Sequence, residues 1–256
     1  MKNEPRSRET SDTDPAPPVR RRNRKTSELV AQDIVKDIRS EGLVAGEMLP
    51  AETVMLEQYG VGRASLREAL RILELHGLIR MKPGPGGGPV VGTATPADFG
   101  RMATLHFQAG GTTIRELVEA RLIMEPMLAR LAAERQTPDR LAELRSIIEQ
   151  PLDGDDNSVY LSNAHGFHVA IANSSGNGVL DLFSVALHEI FVERIHGALY
   201  SDGRSQIHKD HLMIANAIFA GEGAKAENLM RRHMEEFAQF VAIRHPALLE
   251  EIIDWS

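Results

Sequence analysis

Two sets of side chains in this 256-residue chain are of types and spacings that do chemistry. Arg63, Arg67 and Arg71 recur every fourth residue, so on a helix they form one row. An arginine row on an exposed helix is what a helix lying in the DNA major groove requires, because its first residues meet base edges and phosphates. For an isolated row, a solvated face with Arg–Glu pairing is the commoner case. His168, His211 and His233 fall on three different predicted helices. Imidazoles directed into the middle of a helix bundle can meet at one metal ion. Taken singly, each is more often a hydrogen-bonded core or surface histidine. Residue type alone leaves both choices open.

The arginines need a rigid frame, and residues 49–79 supply its pattern. A helix is predicted from about Pro50 to Tyr59, with Val54, Leu56 and Tyr59 able to face a core. Pro50 suits a helix start because its missing N–H has no partner there. Gly60-Val61-Gly62 allows a sharp reversal. A second helix follows from about Arg63 to His76, with Gly77 as its C-terminal cap. On it Leu66, Ala69, Leu70 and Leu73 form one apolar stripe at i, i+3, i+4, i+7. Residues 26–40 read as a preceding helix, with Leu29, Val30, Ile34, Val35 and Ile38 as its apolar positions. Leu78–Met81 and Pro89–Val91 read as two short strands around Lys-Pro-Gly-Pro-Gly-Gly-Gly. No Gly-Lys-Ser/Thr follows those glycines and a strand comes next, which removes a phosphate-cradling loop.

The segments Leu49-Pro50-Ala51-Glu52, Val61-Gly62-Arg63, Leu66-Arg67-Glu68-Ala69-Leu70, Leu73 and Gly77-Leu78-Ile79 resemble the DNA-binding domain of GntR-type regulators. The match covers residues 26–92. It implies a winged helix-turn-helix, three helices plus a small β-wing, and makes Arg63, Ala64, Ser65, Arg67 and Arg71 candidate contacts to DNA. In the FadR-like branch an arginine that touches DNA often follows Leu-Pro-Ala-Glu; here that position is Thr53. The Ala64 methyl is suited to apolar contact with thymine. Lys82 and Gly84 are the candidate contacts on the wing, where the neighbouring position, often histidine in that branch, is Pro83.

Helices take over beyond a linker at 93–97, at about 96–108, 112–135, 138–149, 155–174, 177–199, 203–221 and 223–244. The expected architecture is therefore mainly α: a winged helix-turn-helix, then an all-α bundle of about seven helices over 98–245, with a tail at 246–256. Phe167-His168 with Ser175-Gly176-Asn177, His211 with Ile214, Ala217-Ile218 and Gly221, and Ala226 with His233 are similar to the FCD effector domain of the same branch. That likeness implies a divalent metal, often Zn or Ni, on His168, His211 and His233, with an aspartate four residues before the first histidine. Here that residue is Ala164, and Asn163 and His165 flank it. His165 could substitute for the aspartate; water or an effector carboxylate could complete the shell; or an organic ligand could bind without metal. Arg121 and Glu125 match an Arg…Glu pattern of this domain, and an inward guanidinium suits a carboxylate effector. A surface pair at i, i+4 is the plain alternative. Tyr160, Asn163 and His165 are further candidates for the effector pocket.

Composition is consistent with this division of labour. Residues 1–92 carry 15 Lys+Arg against 13 Asp+Glu, and the remainder 14 against 23, so the nucleic-acid partner belongs to the first part. Arg20, Arg21, Arg22, Arg24 and Lys25 end a stretch, 1–25, whose composition reads as a disordered basic arm. The absence of cysteine excludes disulfides, thiolate ligands and cysteine nucleophiles. No apolar run approaches a membrane span, and a cytoplasmic location is expected. The expectation is a homodimeric regulator on double-stranded operator DNA, a repressor by the family's commoner mode, controlled by a small-molecule effector and without enzymatic activity. A metal-ion-sensing regulator is the nearest alternative. A metal-dependent hydrolase is the more distant one.

Overall fold

Residues Thr26–Ser40 form α1, Glu52–Tyr59 form α2 and Arg63–Leu75 form α3. In this computed structural model, residues 26–150, 157–195 and 204–254 are described, with side-chain surroundings for all but 157–162, 193–195 and 204–205. Two units separate: one reaches Val91 apart from His76–Leu78, and the other is built from His76–Leu78 and the chain from Gly92 onward.

In the first unit the stripe of α3 is the core. Leu66, Ala69, Leu70 and Leu73 are all buried, with Val30 and Ile34 of α1 and Met55 of α2 among the buried apolar side chains of the unit. Helix α2 starts two residues after the expected Pro50, with Ala51 as N-cap. Its inward residue is Met55, while Val54 is exposed. An eight-residue helix with apolar side chains at 54, 55, 56 and 59 has no single stripe, so packing decides which one enters. Leu29 and Val35 of α1 are likewise exposed. Gly60 ends α2 in the left-handed region (φ 61°), its N–H donating to the Leu56 carbonyl. Tyr59 Oη donates to Asp37 Oδ2 at 2.7 Å and ties α2 to α1; burial first, then that carboxylate, push its phenol up.

The wing is an antiparallel pair, β1 (Ile79–Lys82) and β2 (Gly88–Val91), in register from Ile79↔Val91 to Lys82↔Gly88. Its turn admits no side chain at Gly87, where a Cβ would lie 2.1 Å from the Lys82 carbonyl oxygen.

The second unit holds α4 (Pro96–Gly110), α5 (Ile114–Glu134), α6 (Pro138–Ile148), α7 (Asn157–Ser174), α8 (Gly178–Ile195), α9 (Arg204–Phe219) and α10 (Gly223–Arg244). An eighth, short helix, α11 (Pro246–Leu249), lies where a plain tail was expected. Thr95, Thr113 and Thr137 cap α4, α5 and α6 through their side chains. Helix α5 is central and packs on α7, α8, α9 and α10. Leu128, Ala132, Phe167, Ile171, Ile214 and Met230 belong to the main apolar cluster. A second strip of chain closes the start of α5: the Ile114 N–H donates to the Glu251 carbonyl, and the Ile253 N–H to the Thr112 carbonyl, each at 2.9 Å. Ile253 is fully buried there.

The cap of α5 gives a measurable expectation. Thr113 and Glu116 form a reciprocal capping box. Thr113→Ala should lower stability by about 1 kcal/mol in urea denaturation. An unchanged midpoint would show that the closing strip alone holds this helix start.

Candidate functional site

Two sets of side chains are presented, one in each unit. On α3, Arg63, Ala64, Arg67 and Arg71 are exposed and Ser65 is partly so, opposite the buried stripe. Thr53 on α2 and Lys82 and Gly84 at the wing are exposed too. Arg67 Nε lies 3.6 Å from Glu52 Oε2, with the arginine side chain 72 % exposed, so the pair restrains Arg67 weakly and leaves it open to a phosphate or base. The basic arm at 1–25 lies outside the described residues.

In the second unit the three histidines converge. Ligand atoms of His168 on α7, His211 on α9 and His233 on α10 all lie within 4.8 Å of one another. Nε2 of His211 and Nε2 of His233 are 3.3 Å apart. That is about the separation two imidazole nitrogens take on one tetrahedral ion with bonds of ~2.0–2.1 Å; it is also the reach of a single N–H···N hydrogen bond. The His211 ring stacks on Phe167 at 3.8 Å between centroids, which fixes its plane. Burial, then the neighbouring His233 and His168, push His211 well below the usual imidazole range. Burial, then His168, push His233 down to about 3. Both rings are therefore neutral near pH 7, the form a cation needs, and need lose no proton to bind one. The donor set fits a divalent ion of the Zn or Ni kind.

Asp210, buried on α9, brings one carboxylate beside this centre, its Oδ2 4.0 Å from His233 Nδ1; Glu125 supplies another. Its Oε1 accepts from Arg121 Nε at 2.7 Å, and its Oε2 contacts His168 Nδ1. That second contact is a close approach rather than a straight hydrogen bond, since neither atom has a partner of hydrogen-bond geometry among the described residues. With Nδ1 so engaged, His168 offers Nε2 to the centre, the arrangement in which a carboxylate orients a ligating imidazole. Burial opposes ionisation of Glu125, but the Arg121 guanidinium and then His168 hold its carboxyl well below the usual range. The Arg121–Glu125 pair is not a surface pair: the two residues are 5 % and 4 % exposed. The guanidinium lies over the Phe191 ring at 4.3 Å.

The remaining expected residues divide. Asn163, Ala164 and His211 line a small pocket together with Ile147, Ile148 and His208. His165 instead lies against His188, with ring centroids 4.6 Å apart. Tyr160 lies outside the residues described at side-chain level. His188 was not anticipated from the sequence. It is buried, 5 % exposed, on α8, and its ring is 5.2 Å from that of His168. Burial, then the Arg121 guanidinium and the neighbouring His168, push it well below the ordinary imidazole range. It stands in a largely apolar run, Phe183–Phe191, which also holds Ser184 and Glu189, and no spacing marks it.

Comparison with known proteins agrees with both halves. The model described as bacterial regulatory proteins, gntR family, matches residues 26–87, and that of the FCD domain matches residues 116–236. The HTH-type transcriptional repressor NanR of Enterobacter sp. (strain 638) is 27 % identical over 224 residues, 82 % of this chain and 83 % of the relative. Its namesake from Salmonella newport (strain SL254) is 28 % identical over 224 residues, with 82 % and 83 % covered. A solved structure described as Streptococcus agalactiae GntR superposes with a TM-score of 0.67 at 24 % identity, over 83 % of this chain and 99 % of that one. This last likeness is one of fold.

Proposed function

We propose, from the premise that this chain belongs to the gntR family of bacterial regulatory proteins and carries an FCD domain, that a small carboxylate effector binds at the His168–His211–His233 centre and changes operator affinity. The chain is a DNA-binding transcriptional regulator under metabolite control. The proposal concerns how it is controlled. The observation that carries it is the convergence of three imidazoles, His211 and His233 buried and His168 partly so, beside a buried guanidinium, Arg121.

His168, His211 and His233 would hold a divalent ion, which when bound supplies a Lewis-acid anchor for a carboxylate. Ala164 stands where the related domains carry an aspartate and brings no carboxylate of its own. It lies in the wall of the pocket that reaches His211, which supports a ligand carboxylate completing the shell. Arg121 gives a second anchor for an anion, and Glu125 holds both Arg121 and His168 in place.

On the DNA side, Arg63, Arg67 and Arg71 with Ala64 and Ser65 would face the major groove, supported by Thr53, while Lys82 and Gly84 would reach DNA from the wing. A homodimer with two such helices would address two half-sites of a pseudo-palindromic operator. The effector would act by favouring one of two placements of those helices. Repression is the reading supported by the relatives' names, and the cytoplasm is where operator DNA is met. No helix among the described residues is long and apolar enough to cross a membrane.

Two alternatives are separated by single measurements. A hydrolase would need a carboxylate free to act as general base beside the triad. Two buried carboxylates lie there: the oxygens of Glu125 face Arg121 and His168, and Asp210 accepts from Gln206 at Oδ1 and lies 4.0 Å from His233 Nδ1 at Oδ2; both are engaged, which supports regulation without turnover. A pure metal sensor would change operator affinity on adding the ion alone.

The DNA reading is tested with an operator selected from a random duplex pool. Arg63→Ala and Arg67→Ala should each weaken binding by about 1–3 kcal/mol, with circular dichroism and oligomeric state unchanged. Wild-type affinity in both variants in a gel-shift titration would remove α3 from the interface.

A further inference from the structure

We infer that Asp210 is the positioning residue for His233: it takes the Nδ1–H of that ring, aims Nε2 at the metal centre and answers the charge of the bound ion. This rests on the reading of His168, His211 and His233 as a metal site. It names the group that sets how tightly the site holds its ion.

The geometry is a chain of three side chains. Asp210 is buried on α9, 5 % exposed. Gln206 Nε2 donates to its Oδ1 at 3.1 Å from one turn earlier on the helix. Its other oxygen, Oδ2, faces His233 Nδ1 at 4.0 Å. The opposite nitrogen of that ring, Nε2, lies 3.3 Å from His211 Nε2. His233 thus turns one nitrogen to the centre and the other to a carboxylate. Glu125 and His168 stand in the same relation, with Arg121 holding Glu125 as Gln206 holds Asp210. A carboxylate behind a ligating imidazole fixes its tautomer and raises its basicity. The 4.0 Å separation is longer than a hydrogen bond. An ion on Nε2 polarises the ring and makes its Nδ1–H a charge-assisted donor, which draws the two groups together.

Charge balance separates the two carboxylates. A buried carboxylate is costly unless a cation answers it. Glu125 has Arg121 Nε at 2.7 Å, and both side chains are almost wholly buried. Asp210 has Arg232, whose Nη2 lies 3.9 Å from Oδ1 and whose side chain is 54 % exposed. Water screens such a pair and leaves it weak. No arginine or lysine among the described residues comes closer to Asp210. The cation that suits this carboxylate is therefore the one His233 would carry on its far nitrogen. Asp210 then serves the ion more than it serves the fold, and the two roles have opposite signatures.

The test uses the full chain. Zinc affinity is read by competition with a chromophoric chelator, and thermal midpoints by circular dichroism with and without zinc. Asp210→Asn should bind zinc about 10–100-fold more weakly than the wild type. Without zinc its midpoint should equal or exceed that of the wild type, because a buried charge with a weak partner has been removed. A carboxylate that only held the fold would lower the metal-free midpoint on removal and leave zinc affinity alone. Asp210→Glu should recover part of the lost affinity, since it restores the charge. Gln206→Ala, at an exposed position, should weaken zinc binding in the same direction by less, because it frees the carboxylate to turn. An unchanged zinc affinity in Asp210→Asn overturns the role of Asp210 and leaves the site of His168, His211 and His233 standing. A metal-free midpoint that falls, or a variant that does not fold, overturns that role in the same way. A wild type that takes up no zinc overturns both.

Discussion

His211→Ala should purify with almost no metal, where the unaltered chain, grown with zinc or nickel supplied, holds about one equivalent per protomer. His211 is the ring whose Nε2 faces that of His233 at 3.3 Å and whose plane is fixed by stacking on Phe167. Removing it leaves His168 and His233, two imidazoles for an ion that needs at least three protein ligands to be held firmly. Changes to groups behind a ligand already cost 10–100-fold in affinity, so loss of a ligand itself should cost about 100-fold or more. His106, exposed on α4, is the control, and His106→Ala should keep the full equivalent. Mass spectrometry of the dialysed proteins reads the result directly. If the unaltered chain carries no metal after zinc or nickel loading, the 3.3 Å spacing is an N–H···N hydrogen bond between neutral rings. The centre is then an organic-ligand site anchored by Arg121.

The second large effect comes from the ion pair beneath that centre. Arg121→Met should destabilise the fold by about 3–5 kcal/mol, because it strands the buried Glu125 carboxylate without its cation. The pair is almost wholly buried. Among the charges near Glu125, that of Arg121 contributes most to keeping it ionised. Arg121→Met combined with Glu125→Gln should recover most of the loss, since no charge is then left unpaired in the interior. Guanidinium denaturation of the single and double variants measures both. A loss under about 1 kcal/mol in the single variant would mean that water reaches the pair. The same cycle separates stability from binding: the double variant should fold and still fail to take up a carboxylate.

How much of this was legible in the sequence follows from how strongly each segment is patterned. Helix α3 was readable because Leu66, Ala69, Leu70 and Leu73 recur with the helical period and glycines bracket it; all four are buried. Helix α2 turns Met55 inward rather than Val54, while Leu56 and Tyr59 are partly buried. Eight residues with adjacent apolar side chains do not fix a face, and Met55 won by packing. Pro50 looked like a helix start, yet the helix opens at Glu52, since a proline tolerated at the first turn does not compel one. The tail was read as plain because Pro246 and the short apolar stretch after it carry no long periodicity; contacts distant in sequence give it its place. The three histidines were found through resemblance, and their convergence is a tertiary fact no spacing encodes. His188 stayed hidden for the same reason: α8 is apolar on most sides, so no stripe marks which residues face Arg121.

The strip that closes the start of α5 has a consequence for biosynthesis. Residues 112 and 253 pair through the Ile253 N–H and the Thr112 carbonyl, so the start of α5 meets a segment that follows α11 in the chain. A ribosome must release residue 253 before the first turn of α5 acquires that partner. The winged unit ends at Val91 and is made first, and N-terminal units generally fold first during synthesis. For an interval set by the translation rate, the nascent chain then carries a finished DNA-reading head with its control unit still incomplete. Truncation just before Glu251 would lengthen that interval indefinitely. It would leave α5, the helix that carries Arg121 and Glu125, without its closing strand.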